Sequence, residues 1–282
     1  MSVHIITDSG CDIEGPTDPC LTVLPLTVTF GSTTYHDGAD LSHERFYELL
    51  EQSAENPVTS QLTPYDYERE LDRVLLDEDD EAVIVAISSK LSGTCQSALD
   101  AAEGRRNVHV VDTLNLCIGQ RVMVQYAVRL AHQGLGGAQI ASELLRVRDR
   151  AQLVALLDTL EYLKRGGRIP KSVGTIGDFL SIKPVLGCKD GELVMIGQAR
   201  GSKSGQNQLR RQVDKLGVDW SMPVTFAYSG TSDQKLRDYM ADNIDLLEGH
   251  LDPDHLDIQS AGAAIGTHAG PGAIAVGFFS ER

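Results

Sequence analysis

Positive charge is scarce in this chain. Its 282 residues carry 25 Lys and Arg against 40 Asp and Glu, a formal net charge of -15, which argues against a nucleic-acid partner and against steady residence on an anionic membrane. Any membrane contact is expected to be transient, and any lipid connection must run through a pocket. Cysteine is scarce too. Cys11, Cys20, Cys95, Cys117 and Cys188 form no C-x-x-C pair and are odd in number, which suits a reducing compartment and supplies no metal signature. They read as small buried apolar residues. Long apolar runs are missing: the start Met1-Ser2-Val3-His4-Ile5-Ile6-Thr7-Asp8 lacks the length and basic flank of a signal peptide, and no later run approaches transmembrane length. The cytoplasm is the expected compartment. Also absent are a G-x-S-x-G elbow, a Walker loop and a G-x-G-x-x-G after the first strand. No cofactor fingerprint is left.

What is present is an ordinary apolar content of 41%, enough for a sizeable core in one large or two modest domains. The first half alternates strand and helix signals. Val3 to Thr7 is a β-branched run, and Thr22 to Phe30 is extended with Pro25 as an edge or break. Ser42 and Thr63-Pro64 are helix starts, each followed by apolar residues on one face. Ala82 to Ile87 and Val108 to Val111 are runs of the kind buried inside a parallel sheet. This order predicts an α/β fold with a mostly parallel, doubly wound sheet over residues 1–150, with ligand atoms at the strand ends Asp8-Ser9, Ser88-Ser89 and Asp112-Thr113. From about residue 150 the pattern changes. Asp190-Gly191 between apolar runs is a hairpin signal, so residues 151–282 read as a separate α+β domain. The acidic run Asp77 to Glu81 reads as a solvated turn.

Four segments could carry chemistry. Ile265 through Gly277 places Thr267 and His268 in a glycine-rich turn before an apolar run, where backbone N–H groups and an imidazole can meet a polar ligand group. Ile87 through Ala98 runs from a buried strand into a helix, so its hydroxyls, Ser92 among them, converge where the helix dipole favours an anion. Pro57 through Pro64 holds a second hydroxyl cluster with Thr59 and Ser60. Leu160 through Lys171 ends a short helix with a double glycine, and Arg168 beyond that turn is a planar donor suited to carboxylate or phosphate.

Thr7-Asp8-Ser9, Thr59-Ser60-Gln61, Ser88 through Ala98, Leu160 through Ile169, Ile182 through Leu186, Lys189-Asp190-Gly191 and Gly266 through Gly272 occur in the order that resembles the DegV family of bacterial fatty-acid-binding proteins. The resemblance implies a two-domain α/β carrier that encloses a long-chain fatty acid between its domains. It implies partners as well: a separate fatty acid kinase subunit that phosphorylates the carboxylate, and an acyl phosphate acyltransferase that passes the product to phospholipid synthesis. By that resemblance Thr59 or Ser60, Ser92 and His268, with Thr267 beside it, hold the carboxylate, and Arg168 and Arg200 stand at the pocket mouth. The segment after Arg200, Gly201-Ser202-Lys203-Ser204-Gly205, is less basic than the family run, which weakens the inference of kinase docking there. Two other functions compete. One is a lipid hydrolase or acyltransferase with Ser92 as nucleophile and His268 as base; the other is a sugar-phosphate or nucleotide-binding enzyme on the first half.

Overall fold

The computed structural model describes residues 2–15, 17–53, 55–171, 173, 182–252 and 255–281. In chain order the strands are β1 (Val3–Asp8), β2 (Leu21–Leu24), β3 (Thr27–Phe30), β4 (Thr33–His36), β5 (Val58–Ser60), β6 (Glu81–Ala86), β7 (Val108–Asp112), β8 (Ala151–Leu156), β9 (Ile182–Lys189), β10 (Glu192–Arg200), β11 (Thr225–Tyr228), β12 (Ile258–Ser260) and β13 (Ile274–Phe279). The helices are α1 (His43–Gln52), α2 (Pro64–Val74), α3 (Thr94–Ala102), α4 (Cys117–His132), α5 (Gly137–Val147), α6 (Glu161–Arg165), α7 (Ser202–Leu216), α8 (Gln234–Asp242), α9 (Ile244–Leu247) and α10 (Ala263–Ala269). Among the described residues no helix is long and apolar enough to cross a membrane.

The first half folds as its pattern predicts. A four-stranded parallel sheet runs β2-β1-β6-β7, with the apolar β6 in its interior. Side chains alternate across a strand, so Ile5, Val83 and Val85 meet α4 and α5 on one face, while Ile6, Ala82 and Ile84 meet α2 and α3 on the other. Both predicted caps form: Ser42 Oγ accepts from Arg45 N at 3.2 Å, and Thr63 with Asp66 makes a capping box ahead of Pro64. Pro25 divides the extended segment between two sheets. β2 joins the parallel sheet, whereas β3 pairs antiparallel with β4 and β5 in a separate three-stranded sheet. The acidic run is not fully solvated: Asp80 is buried, accepts from Ser2 N and Ser2 Oγ at 3.0 and 2.7 Å, and is held down to about 2 by those bonds.

From Ala151 onward the strands belong to a third, six-stranded sheet, β10-β9-β8-β13-β11-β12. It is antiparallel except where β11 pairs with β12, and Asp190 and Gly191, both at positive φ, close the β9–β10 hairpin. Val154, Leu156, Phe226, Ile274 and Val276 pack on one face against Leu209 and Val213 of α7 and Leu236 and Tyr239 of α8. The other face meets α4 and α10. α10 also packs on α1, β3 and β5, so a helix from the end of the chain lies against the small sheet near its start.

Candidate functional site

α10 is where the structure departs most from the sequence expectation. Thr267 and His268 stand in a helix, not in a glycine-rich turn. Its first N–H groups are satisfied from a distance: Asp12 Oδ1 accepts from Gly262 N at 2.7 Å, and Asp37 accepts from Ala263 N at 2.7 Å and from Ala264 N at 3.2 Å. Both aspartates are buried, and burial pushes the Asp12 carboxyl up to about 6 and raises that of Asp37. Gly266 serves close packing, since a Cβ there would lie 2.5 Å from Phe46 Cε1 and 2.7 Å from the Tyr47 hydroxyl. Thr267 Oγ1 donates to Ala263 O at 2.8 Å within the helix, and Thr267 is absent from the cavity wall. The expected cradle of backbone N–H groups is occupied as well. Gly270 N donates to Gly266 O, Gly272 N to Ser229 O and Ala273 N to Ser229 Oγ, so this turn is closed on Ser229.

The helix delivers His268 to the hydroxyl segment of β5. Register with β3 sets Thr59 opposite Val28, and Thr59 Oγ1 lies 3.0 Å from His268 Nε2. The other ring nitrogen, Nδ1, is buried without a hydrogen-bond partner and lies against Gly166, where a Cβ would stand 2.0 Å from it. Burial, reinforced by the Arg168 charge, lowers the imidazole to about 4, so His268 is neutral at neutral pH. Arg168 follows Gly167 at φ +69 and is itself exposed. Its Nη1 donates to Gly166 O at 2.7 Å and its Nε to Leu91 O at 3.3 Å, tying the end of α6 to the loop after β6.

That loop carries Ser92, whose Oγ donates to Thr94 Oγ1 at 2.9 Å and accepts from Thr94 N at 3.2 Å. The hydroxyls at the strand ends are used by the fold. Asp8 accepts from Gly10 N and Ile87 N, Ser9 Oγ donates to Asp37, and Ser88 Oγ donates to Gly191 O. These groups knit the β6 loop to its neighbours, which corrects the expectation that they meet a ligand. Arg200 also stands apart: it ends β10 opposite Ile182, is exposed, and does not line the cavity.

The remaining candidates surround one cavity of about 390 Å³, within the range of small-molecule sites. Thr59, Ser60, Gln61, Ser92, Arg168 and His268 supply most of its polar wall. Its body is aliphatic, and the six-stranded sheet explains its shape. Leu186 on β9, Ala155 on β8, Ala275 on β13 and Ala227 on β11 are successive register partners, so three alanines stand side by side across the sheet. All four line the cavity, and the methyl side chains leave a trough where larger residues would fill the space. Leu116, just ahead of α4, Leu163 of α6 and Ile265 of α10 cover it. This row was not foreseen, nor were Ser229, Asp12 and Asp37. A signal for the alanines does exist: Ala155 stands between Val154 and Leu156, and Ala275 between Ile274 and Val276.

The fold and cavity together define an α/β protein with an amphiphilic pocket. The chain belongs to the DegV family, whose model matches residues 2–281. A DegV domain-containing protein of Caldanaerobacter subterraneus subsp. tengcongensis is 32% identical over 286 residues, covering 99% of both chains. Among solved structures, a DegV family protein from Thermus thermophilus, described by its fatty acid binding, is 30% identical with a TM-score of 0.85, covering 99% of this chain and all of that one, 100%. The Fatty Acid Kinase (Fak) B3 protein of Streptococcus pneumoniae, loaded with linoleic acid, shares the fold at 23% identity and a TM-score of 0.85, covering 100% of both chains.

Proposed function

We propose that this protein binds one long-chain fatty acid in the cavity, with the alkyl chain along the alanine trough and the carboxylate at the Thr59 end. The observation that carries this reading is the division of one cavity wall into an aliphatic body and a cluster of hydroxyl, amide, imidazole and guanidinium groups. Burying a chain of some sixteen carbons is worth about 0.8 kcal/mol per methylene, on the order of 12 kcal/mol before association costs. A carboxylate leaves water only when hydrogen-bonded, which gives the polar end its role. Thr59, Ser60 and Ser92 are the donors. His268 acts through Thr59: with the proton on Nε2 it donates to Thr59 Oγ1, leaving that hydroxyl free to donate to the carboxylate.

The protein works as a carrier. It presents the carboxylate to a fatty acid kinase subunit in the cytoplasm, and an acyl phosphate acyltransferase consumes the product during transient membrane contact. Arg168 at the rim offsets charge on the phosphate during transfer, and the exposed Arg200 serves the kinase surface. The change of sheet at residue 151 supports two domains, 1–150 and 151–282, with the fatty acid between them. The hydrolase reading gains no support: it needs Ser92 bonded to His268, whereas Ser92 Oγ is turned to Thr94 and His268 to Thr59. An aliphatic cavity body likewise favours no sugar phosphate or nucleotide.

Denaturing extraction followed by mass spectrometry should recover near-stoichiometric fatty acid from the purified protein. With a cognate kinase and ATP, acyl phosphate should form, more slowly in Arg168→Ala although that variant retains its ligand. Well-folded protein that neither yields fatty acid nor binds added palmitate or oleate would refute the reading. Acyl phosphate formed from ATP without any kinase would refute the carrier assignment.

A further inference from the structure

Away from the pocket, the connection leading into β2 meets the end of α4. Asp18 and Cys20 come from that connection and His132 is the last residue of the helix, 114 positions after Asp18. One carboxylate oxygen, the thiol sulfur and one imidazole nitrogen lie within 4.8 Å of one another, the only such grouping of potential metal ligands among the described residues. Asp18 is the centre of the group. Its Oδ2 is 2.7 Å from His132 Nε2 and its Oδ1 accepts from Cys20 N at 3.0 Å, with the Cys20 thiol within 4.8 Å of both donors. None of the three lines the cavity.

We propose that Asp18, Cys20 and His132 bind a divalent ion of the zinc class. One sulfur, one nitrogen and one oxygen donor suit a borderline-soft ion, and a thiolate with an imidazole disfavours magnesium and calcium, which take oxygen ligands. In the metal-free group the thiol keeps its proton, and the Nε2 proton of His132 bridges to the Asp18 carboxylate. A cation takes their place: the thiol proton leaves to solvent, and the imidazole proton passes by way of solvent from Nε2 to Nδ1, which frees the Nε2 lone pair for the metal. Oxygen and nitrogen ligands about 2.0–2.1 Å from a tetrahedral ion stand roughly 3.3 Å apart, so the Asp18–His132 pair, 2.7 Å apart, must open by about 0.6 Å. The helix end allows this, because the His132 side chain is 58% exposed. Solvent on that side supplies the fourth ligand. The site is thus an open, three-residue clasp between the entry to β2 and the end of α4, and the chain's net charge of -15 favours a cation there. Spacing in the sequence could not disclose it, since no two of the donors form a metal-binding motif.

The test uses the full-length protein freed of metal and titrated with Co(II), which reports thiolate ligation by a charge-transfer absorption. The band should grow to one equivalent, disappear when Zn(II) is added, and be missing from Cys20→Ser. His132→Gln should weaken binding at least about tenfold. Cys188→Ser, which alters the other partly exposed thiol, should leave the band intact. Alkylation of Cys20, followed by peptide mass spectrometry, should slow when Zn(II) is present. Absence of the band, its persistence in Cys20→Ser, or equal affinity in His132→Gln would overturn the proposal. Circular dichroism of each variant separates loss of the site from loss of the fold, and fatty-acid content should be unchanged throughout.

Discussion

The alanine row offers the most direct test of where the alkyl chain lies. Ala275 sits between Ala155 and Ala227 in the sheet register, lines the cavity, and has Val276 on the opposite face in the packed core. Ala275→Leu adds three carbons that point into the trough. If those carbons take the place of three methylenes of the ligand, the loss is about 0.8 kcal/mol each, or roughly 2.4 kcal/mol, which is on the order of 50-fold in affinity. The loss should fall on long chains, while an acid three carbons shorter binds as before. Stability should respond differently. Three extra carbons in a filled core cost about 1–3 kcal/mol and lower Tm by several degrees, but carbons entering a cavity strain nothing, so Tm of the delipidated protein should hold or rise. Isothermal titration with a saturated fatty-acid series and a thermal melt read both quantities. Val276→Ala is the control, expected to cost about 2 kcal/mol of stability with little change in affinity. Unchanged long-chain affinity in Ala275→Leu together with a lowered Tm would refute the reasoning, because the residue would then face packed protein.

Two further outcomes probe the polar end. Gly166→Ala places a Cβ 2.0 Å from His268 Nδ1, so the ring must move away from Thr59; fatty-acid affinity should fall about tenfold, in line with a displaced hydrogen bond of roughly 1.5 kcal/mol, and unchanged affinity would show that the ring's position does not matter. The second concerns pH. His268 falls from 6.5 to about 4 on folding, so its contribution is present above 6.5 and is lost as pH falls towards 4, where the unfolded chain binds a proton that the fold does not. Asp8 and Asp12 act in the opposite sense: raised from 3.8 to about 6, they contribute stability below 3.8 that is lost as pH rises through 6. Denaturation curves of wild type and His268→Gln isolate the histidine; the wild type should lose up to roughly 3 kcal/mol more between those limits, and parallel pH profiles would refute the assignment.

Local chemistry was legible from the sequence. Proline at residue 25 had to break an extended run, Ser42 and Thr63 had to cap helices, the apolar run of β6 had to lie inside a sheet, and Asp190-Gly191 had to turn a hairpin. Each of these depends on neighbours a few positions away, through φ restrictions, orphan N–H groups and side-chain period. The order of weak motifs pointed to the family for the same reason, since each motif is a local solution.

Tertiary structure decided what lies between distant segments. The glycines at 266, 270 and 272 read as one turn, yet Gly266 is helical because Phe46 and Tyr47 need the space and because Asp12 and Asp37 cap α10 from more than two hundred residues away. Thr267 therefore turns into the helix, while His268, one residue on, meets Thr59 across 209 positions. The trough required three strands to align Ala155, Ala275 and Ala227, a register set by pairing partners that no single run names. Residue types thus determined which groups were available for binding. Which of them face one another was set by long-range packing, because a helix or strand chooses the face it presents from what it is packed against.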